Sequence, residues 1–169
     1  LNRKLKFCQH IRLKPKQEAT ILFFEYECWK CKKPQYCYTV YPKFHTVCDK
    51  EQEMTGSMWN DDDIDKSQQI QIAVQQFLDS DKGKDIKVGP IKRRYSRTVQ
   101  ESYLSHGCYY CDAIFGDFYL SESKSYVHYD WETEGQSDKY IQHTVEVNLG
   151  EVVEEWPHWC FSEDGHFCE

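Results

Sequence analysis

Long apolar runs are missing from this sequence of 169 residues. None approaches the roughly 20 consecutive apolar residues that a membrane-spanning helix needs, so no membrane partner is expected. No signal-peptide pattern is visible. Familiar catalytic and phosphate-binding fingerprints are missing too: there is no P-loop, no Rossmann glycine pattern, no His-Glu-x-x-His and no Gly-x-Ser-x-Gly. Basic residues are scarce in one part of the chain. Residues 112–169 carry only Lys124 and Lys139 against 14 acids, whereas residues 1–111 carry 19 Lys/Arg against 14 Asp/Glu. The formal charge of −7 hides this split. It marks either a basic docking face with an acidic tail or two ordinary solvated surfaces.

Aromatic residues, by contrast, are plentiful: twelve Tyr, nine Phe and five Trp. That composition favours a packed, sheet-rich fold over disorder. The length fits one domain, here taken as 1–169, and a chain of this size buries roughly 70% of its unfolded surface. Nine cysteines are many for a reducing compartment, and an odd number for a closed disulfide set. Four of them fall in two Cys-x-x-Cys clasps, Cys28/Cys31 and Cys108/Cys111, separated by 76 residues. In a chain without secretory features, that spacing points to a metal before it points to disulfides.

Local pattern places these clasps. Ile21–Cys28 and Tyr36–Tyr41 ("YCYTVY") read as two strands of a hairpin with Cys28-Trp29-Lys30-Cys31 at its turn. Asp49–Asp65 reads as an acidic loop. In "DKSQQIQIAVQQFLDSDKG", Ile70, Ala73, Val74, Phe77 and Leu78 recur at helical spacing. Asp63, Asp65 or Ser67 can cap this helix and Gly83 can stop it. Ile86, Val88 and Ile91 suggest a short strand. The basic stretch "IKRRYSRTVQ" then leads into the second clasp, and "AIFGDFYL" after it suggests another strand. Finally Ile141, His143, Val145, Val147 and Leu149 alternate with polar residues, as in a strand with one buried face.

Two cysteines on one tight turn aim their sulfurs the same way, which supplies half of a tetrahedral site. Two such turns supply the closed Cys₄ shell normal for structural zinc. The expectation is that Cys28, Cys31, Cys108 and Cys111 hold one structural Zn²⁺ that ties together the ends of a helix-bearing insertion. Redox-active pairs, or inert or disulfide-bonded cysteines, are the alternatives. The expected fold is α+β: antiparallel strands, a zinc-ribbon clamp with knuckles at 23–41 and 102–120, one main helix in the insertion, and an acidic C-terminal part at 121–169.

Both clasps resemble the knuckles of zinc-ribbon proteins. "YECWKC", a helical insert, then "SYLSHGCYYCDAIFGDFYL" also resembles a group of uncharacterised bacterial proteins with paired knuckles. The resemblance spans about residues 23–120, implies metal binding and a bacterial-type cytoplasmic setting, and says nothing of activity. Tyr109 stands where such knuckles commonly have Pro, and Lys32 and Asp112 where they commonly have Gly.

The remaining cysteines and histidines carry weaker signals. His158, Cys160, His166 and Cys168 could form a second metal site or a packed aromatic end. Cys8 with His10, and His45 with Cys48, are weaker pairs. Cys37 reads as a small buried hydrophobe. Asp61, Asp63, Asp65 and Ser67 lack the Gly and Glu of a calcium loop, and a helix N-terminus accounts for their acidity.

Three function classes follow. The first is a zinc-stabilised binding or regulatory module with a protein partner. The second is nucleic-acid binding through Lys87, Lys92, Arg93, Arg94 and Arg97 beside Tyr95. The third is an enzyme of unfamiliar type, for example one pairing Cys160 with His143 or His158.

Overall fold

The hairpin expected around the first clasp is the spine of the fold in a computed structural model, which describes residues 16–41, 43–45, 51–53, 64–133 and 138–148. In chain order the elements are β1 (Lys16–Glu27), β2 (Pro34–Val40), β3 (Lys43–His45), β4 (Glu51–Glu53), α1 (Gln68–Leu78), β5 (Lys92–Ser96), β6 (Glu101–Ser105), α2 (Asp117–Thr133) and β7 (Ile141–Asn148). β1 is the central strand of a sheet of order β2-β1-β7, antiparallel on both sides. Phe24 lies opposite Cys37, and Phe23 opposite Ile141. β3 with β4, and β5 with β6, form two further two-stranded antiparallel sheets. β4 falls within the stretch expected to be loop.

The run Ile21-Leu22-Phe23-Phe24 does not alternate with polar residues because both faces of β1 are buried. Ala19, Ile21 and Phe23 join Tyr38, Val40 and Val147 against Ile70, Ala73, Val74 and Phe77 of α1. The Phe23 and Phe77 rings stack with centroids 5.2 Å apart. On the opposite face, Leu22, Phe24 and Cys37 meet Phe115 and the Leu120, Val127 and Trp131 side chains of α2. The architecture is α+β in three layers, helix–sheet–helix.

α1 forms as its periodicity requires. Ser67, in extended conformation, is the N-cap and accepts the Ile70 N–H through Oγ at 3.4 Å. The Asp79 N–H closes the last turn on Gln75 and Phe77. At Gly83 the chain folds back so closely that a Cβ would sit 2.1 Å from the Phe77 carbonyl oxygen, which only glycine permits.

"AIFGDFYL" is not a strand: from Asp117 it is the first turn of α2, the longer helix. Leu120, Lys124, Val127 and Trp131 are its buried residues, spaced four, three and four apart. A lysine inside that stripe, and Phe118 and Tyr119 outside it, disguise the helical period. Among the described residues no helix is long and apolar enough to cross a membrane.

β2 is flanked by β1 on one side, so its other edge needs partners for its backbone groups. The Tyr36 N–H donates to the Lys87 carbonyl at 2.8 Å, and the short strand expected around Val88 is reduced to a parallel bridge with Tyr36. The Val40 N–H donates to Asp65 Oδ1 at 2.8 Å, and the Tyr38 hydroxyl donates to the Asp65 carbonyl at 2.9 Å. Asp65 is therefore no solvated cap. Its Oδ2 lies 2.7 Å from Lys124 Nζ, and both side chains are 1% exposed. Beside this pair, Lys66 Nζ meets Asp117 Oδ1 at 3.1 Å. Together the two ion pairs link the approach to α1 with α2.

Candidate metal centre

The first clasp is the turn between β1 and β2, and the second follows the β5–β6 hairpin. Their backbones are built alike. In the first, the Cys28 N–H donates to the Lys33 carbonyl (3.1 Å) and the Lys32 N–H to the Cys28 carbonyl (2.9 Å). In the second, the Cys108 N–H donates to the Ala113 carbonyl (2.8 Å) and the Asp112 N–H to the Cys108 carbonyl (3.0 Å). The turn needs a left-handed residue at its fifth position, and Lys32 and Asp112 adopt φ of 58° and 57° there. These are the positions where knuckles commonly carry glycine; the chain tolerates the strain without it.

The two turns face one another. The sulfurs of Cys28, Cys31, Cys108 and Cys111 all lie within 4.8 Å of each other. Two contacts cross between the clasps: Cys28 Sγ to Cys111 Sγ is 3.7 Å, and Cys31 Sγ to Cys108 Sγ is 3.6 Å. All four are free thiols. A tetrahedron with a metal–sulfur bond of about 2.3 Å has edges of about 3.8 Å, so these contacts have the size of zinc-tetrathiolate edges. Cys28 and Cys108 are buried, while Cys31 and Cys111 are half-buried.

Thiol ionisation is uneven without a cation. Burial pushes the Cys28 thiol up, but the Cys31 and Lys30 N–H groups and the Cys108 and Cys31 thiols outweigh it and bring it down to about 7. Cys108 is pushed up to about 12, chiefly by burial, with the Cys28 and Cys111 thiols adding to it against the Cys111 and Tyr110 N–H groups. One proton leaves such a cluster readily and the next resists, because charge accumulates in a small volume. A divalent cation at the centre removes that resistance.

Hydrogen bonds outside the sulfurs hold the halves in register. Trp29 Nε1 on the first clasp donates to the Ile114 carbonyl beyond the second at 2.9 Å. The Tyr109 N–H on the second donates to Gln35 Oε1 at 2.7 Å. Arg94 is the main brace. Its Nη2 and Nε donate to Asp112 Oδ1 at 2.7 and 3.1 Å, its Nη1 to the Ser105 carbonyl at 2.6 Å and its Nη2 to the Pro90 carbonyl at 2.9 Å. Lys92 Nζ pairs with Asp112 Oδ2 at 2.7 Å, and Lys92 and then Arg94 hold the Asp112 carboxyl below the usual range. Gly107 makes room for the guanidinium: a Cβ there would lie 2.4 Å from Arg94 Cζ.

Arg94 therefore cannot be offered to nucleic acid as the basic stretch suggests; it is buried in the clamp, and Lys92 is paired beside it. Nothing in the sequence pattern signals this brace, because Arg94 and Asp112 are 18 residues apart and each looks like ordinary surface charge. At the clasp tips Lys33 Nζ lies 4.8 Å from the Tyr110 ring centroid and Lys87 Nζ 5.7 Å from that of Tyr109.

Cys37 is buried as expected, and burial raises its pKa strongly. His143 stacks on Phe77 with centroids 4.6 Å apart. The second candidate metal set (His158, Cys160, His166, Cys168), Cys8 with His10, Cys48 of its pair with His45, and the Cys160 half of the nucleophile pairing lie outside the described residues, as do Asp61 and Asp63. Among the described residues the four clasp cysteines are the one group suited to holding a metal ion.

Comparison with protein-family models, curated proteins and solved structures returns no match. The two-knuckle arrangement thus rests on its own geometry, and the chain is a module with a four-cysteine metal-type cluster as its clamp.

Proposed function

We propose that Cys28, Cys31, Cys108 and Cys111 hold one structural Zn²⁺, and that the clamped domain is a binding or regulatory module for a protein partner in a reducing, cytoplasmic setting. The observation that carries the metal is the sulfur spacing of 3.6 and 3.7 Å between clasps. Softness of the donors favours zinc over magnesium or calcium. Four thiolates fill a tetrahedral shell and leave no position for a reacting water, so the ion's role is to fix the scaffold. What the scaffold presents supports recognition: Trp29, Tyr95, Tyr109, Tyr110, Phe118, Tyr119, Tyr126 and Tyr129 all stand exposed, and aromatic rings on a rigid surface are typical contact residues.

The nucleic-acid reading keeps Lys87, Arg93 and Arg97 but loses Arg94 to the clamp, and Lys92 is half exposed in an ion pair with Asp112. Affinity capture from native lysate, with and without nuclease, separates the two. The zinc-loaded protein is expected to retain a protein partner after nuclease treatment, and to release it when a chelator strips the metal. Retention of nucleic acid with salt-sensitive affinity, and of no protein, would replace this reading by the other.

A further inference from the structure

The outward face of α2 is more aromatic than its buried face. Leu120, Lys124, Val127 and Trp131 turn inward. At 3.6 residues per turn, Phe118, Tyr119, Glu122, Tyr126 and Tyr129 fall within an arc of about 100° on the other side. The four rings are 81%, 69%, 66% and 65% exposed. They contribute little to folding, and three turns of helix set them along a stripe about 17 Å long. A soluble surface rarely keeps that much contiguous ring area without a partner.

The charge around the stripe names the partner's sign. The one charged residue in this arc is acidic: Glu122, in its middle. The helix's one lysine, Lys124, is buried against Asp65, and its one histidine, His128, lies against Thr39 away from the arc. Asp117 and Asp130 are matched by Lys66 and Lys139, but no base of the helix itself balances Glu122. Rings flanking a carboxylate attract guanidinium and ammonium groups through their faces and through charge together. Phosphate backbones are repelled by the same arrangement.

The geometry points to α2 as the docking surface, with Phe118, Tyr119, Tyr126 and Tyr129 as anchors, for a basic, Lys/Arg-bearing segment of another protein. This rests on the recognition reading above and specifies its surface and partner class.

The test uses the zinc-loaded full chain and three probes followed by fluorescence anisotropy: a labelled Arg/Leu peptide of about 12 residues, the same peptide with Glu in place of Arg, and a single-stranded oligonucleotide of similar length. The Arg peptide is expected to bind, the Glu peptide and oligonucleotide at least tenfold more weakly. Tyr126→Ser with Tyr129→Ser should weaken the Arg peptide at least tenfold, and Glu122→Gln severalfold, with unchanged zinc content and thermal midpoint. Equal binding by the serine variant, preference for the oligonucleotide, or a dimer of the chain alone that the serine variant dissolves would each overturn the assignment. Lysate capture with the same variants keeps the two claims apart. A partner retained equally by the serine variant overturns this surface and leaves recognition standing, whereas capture of no protein by the wild type removes recognition itself.

Discussion

Lys124→Met is the most informative single perturbation of the fold. Lys124 and Asp65 are each 1% exposed and meet at 2.7 Å. Methionine nearly matches the lysine stem in volume, so the packing of α2 on the sheet is preserved. The carboxylate of Asp65 is then left buried beside β2 without its cation. Breaking a buried ion pair by removing one partner costs about 3–5 kcal/mol, out of a total stability of about 5–15 kcal/mol. Asp65→Asn added to it removes the stranded charge while keeping an oxygen for the Val40 N–H, now accepted by Oδ1 at 2.8 Å. Replacing both members of a buried pair is often near neutral, so the double variant should return to within about 1.5 kcal/mol of wild type. Urea unfolding at pH 7 with saturating zinc, applied to wild type, both single variants and the double, gives all four corners of the cycle, provided the denaturant slope is unchanged. A Lys124→Met penalty below about 1 kcal/mol, or a double variant as unstable as the sum of the singles, would refute the claim that this pair holds the helical layers together.

His128 is half-buried and lies 3.1 Å from the Thr39 hydroxyl; desolvation first, and then the Lys124 charge, lower its pKa to about 4. The folded chain thus binds fewer protons there than the unfolded chain between pH 6.5 and 4, and stability falls as pH falls through that window. Against His128→Gln, which shares the metal site, wild type should lose about 2 kcal/mol between pH 7 and 5, and a pH-independent difference would contradict this. Lys32, at φ 58°, carries a strain of about 1 kcal/mol that glycine relieves in part, so Lys32→Gly should raise the thermal midpoint or leave it unchanged, while Lys32→Val lowers it. Arg94→Met removes charge-assisted bonds worth about 2–3 kcal/mol from the second clasp, so zinc should pass to a chromogenic chelator at least tenfold faster; an unchanged rate would mean that Arg94 braces nothing.

The features legible beforehand were those with local causes. Cys-x-x-Cys spacing marks a turn wherever it occurs, and Ile70, Ala73, Val74 and Phe77 share a face whatever they pack against. The strand at Ile141–Asn148 shows by alternation alone. What stayed hidden depends on partners distant in the chain. Lys124 looks like a break in an apolar stripe until Asp65 is placed beside it. Phe118 and Tyr119 look like strand residues because β-propensity describes a half-buried pleat, and here they stand on the open side of a helix. Arg94 looks like part of a basic patch until Asp112 and the Ser105 carbonyl claim it.

X-ray absorption at the zinc edge, combined with elemental analysis of the purified full chain, addresses the centre itself. The account requires one zinc per chain with four sulfurs at about 2.3 Å and no nitrogen or oxygen in the first shell. Zinc well below stoichiometry, or a shell that mixes in lighter donors, would contradict it.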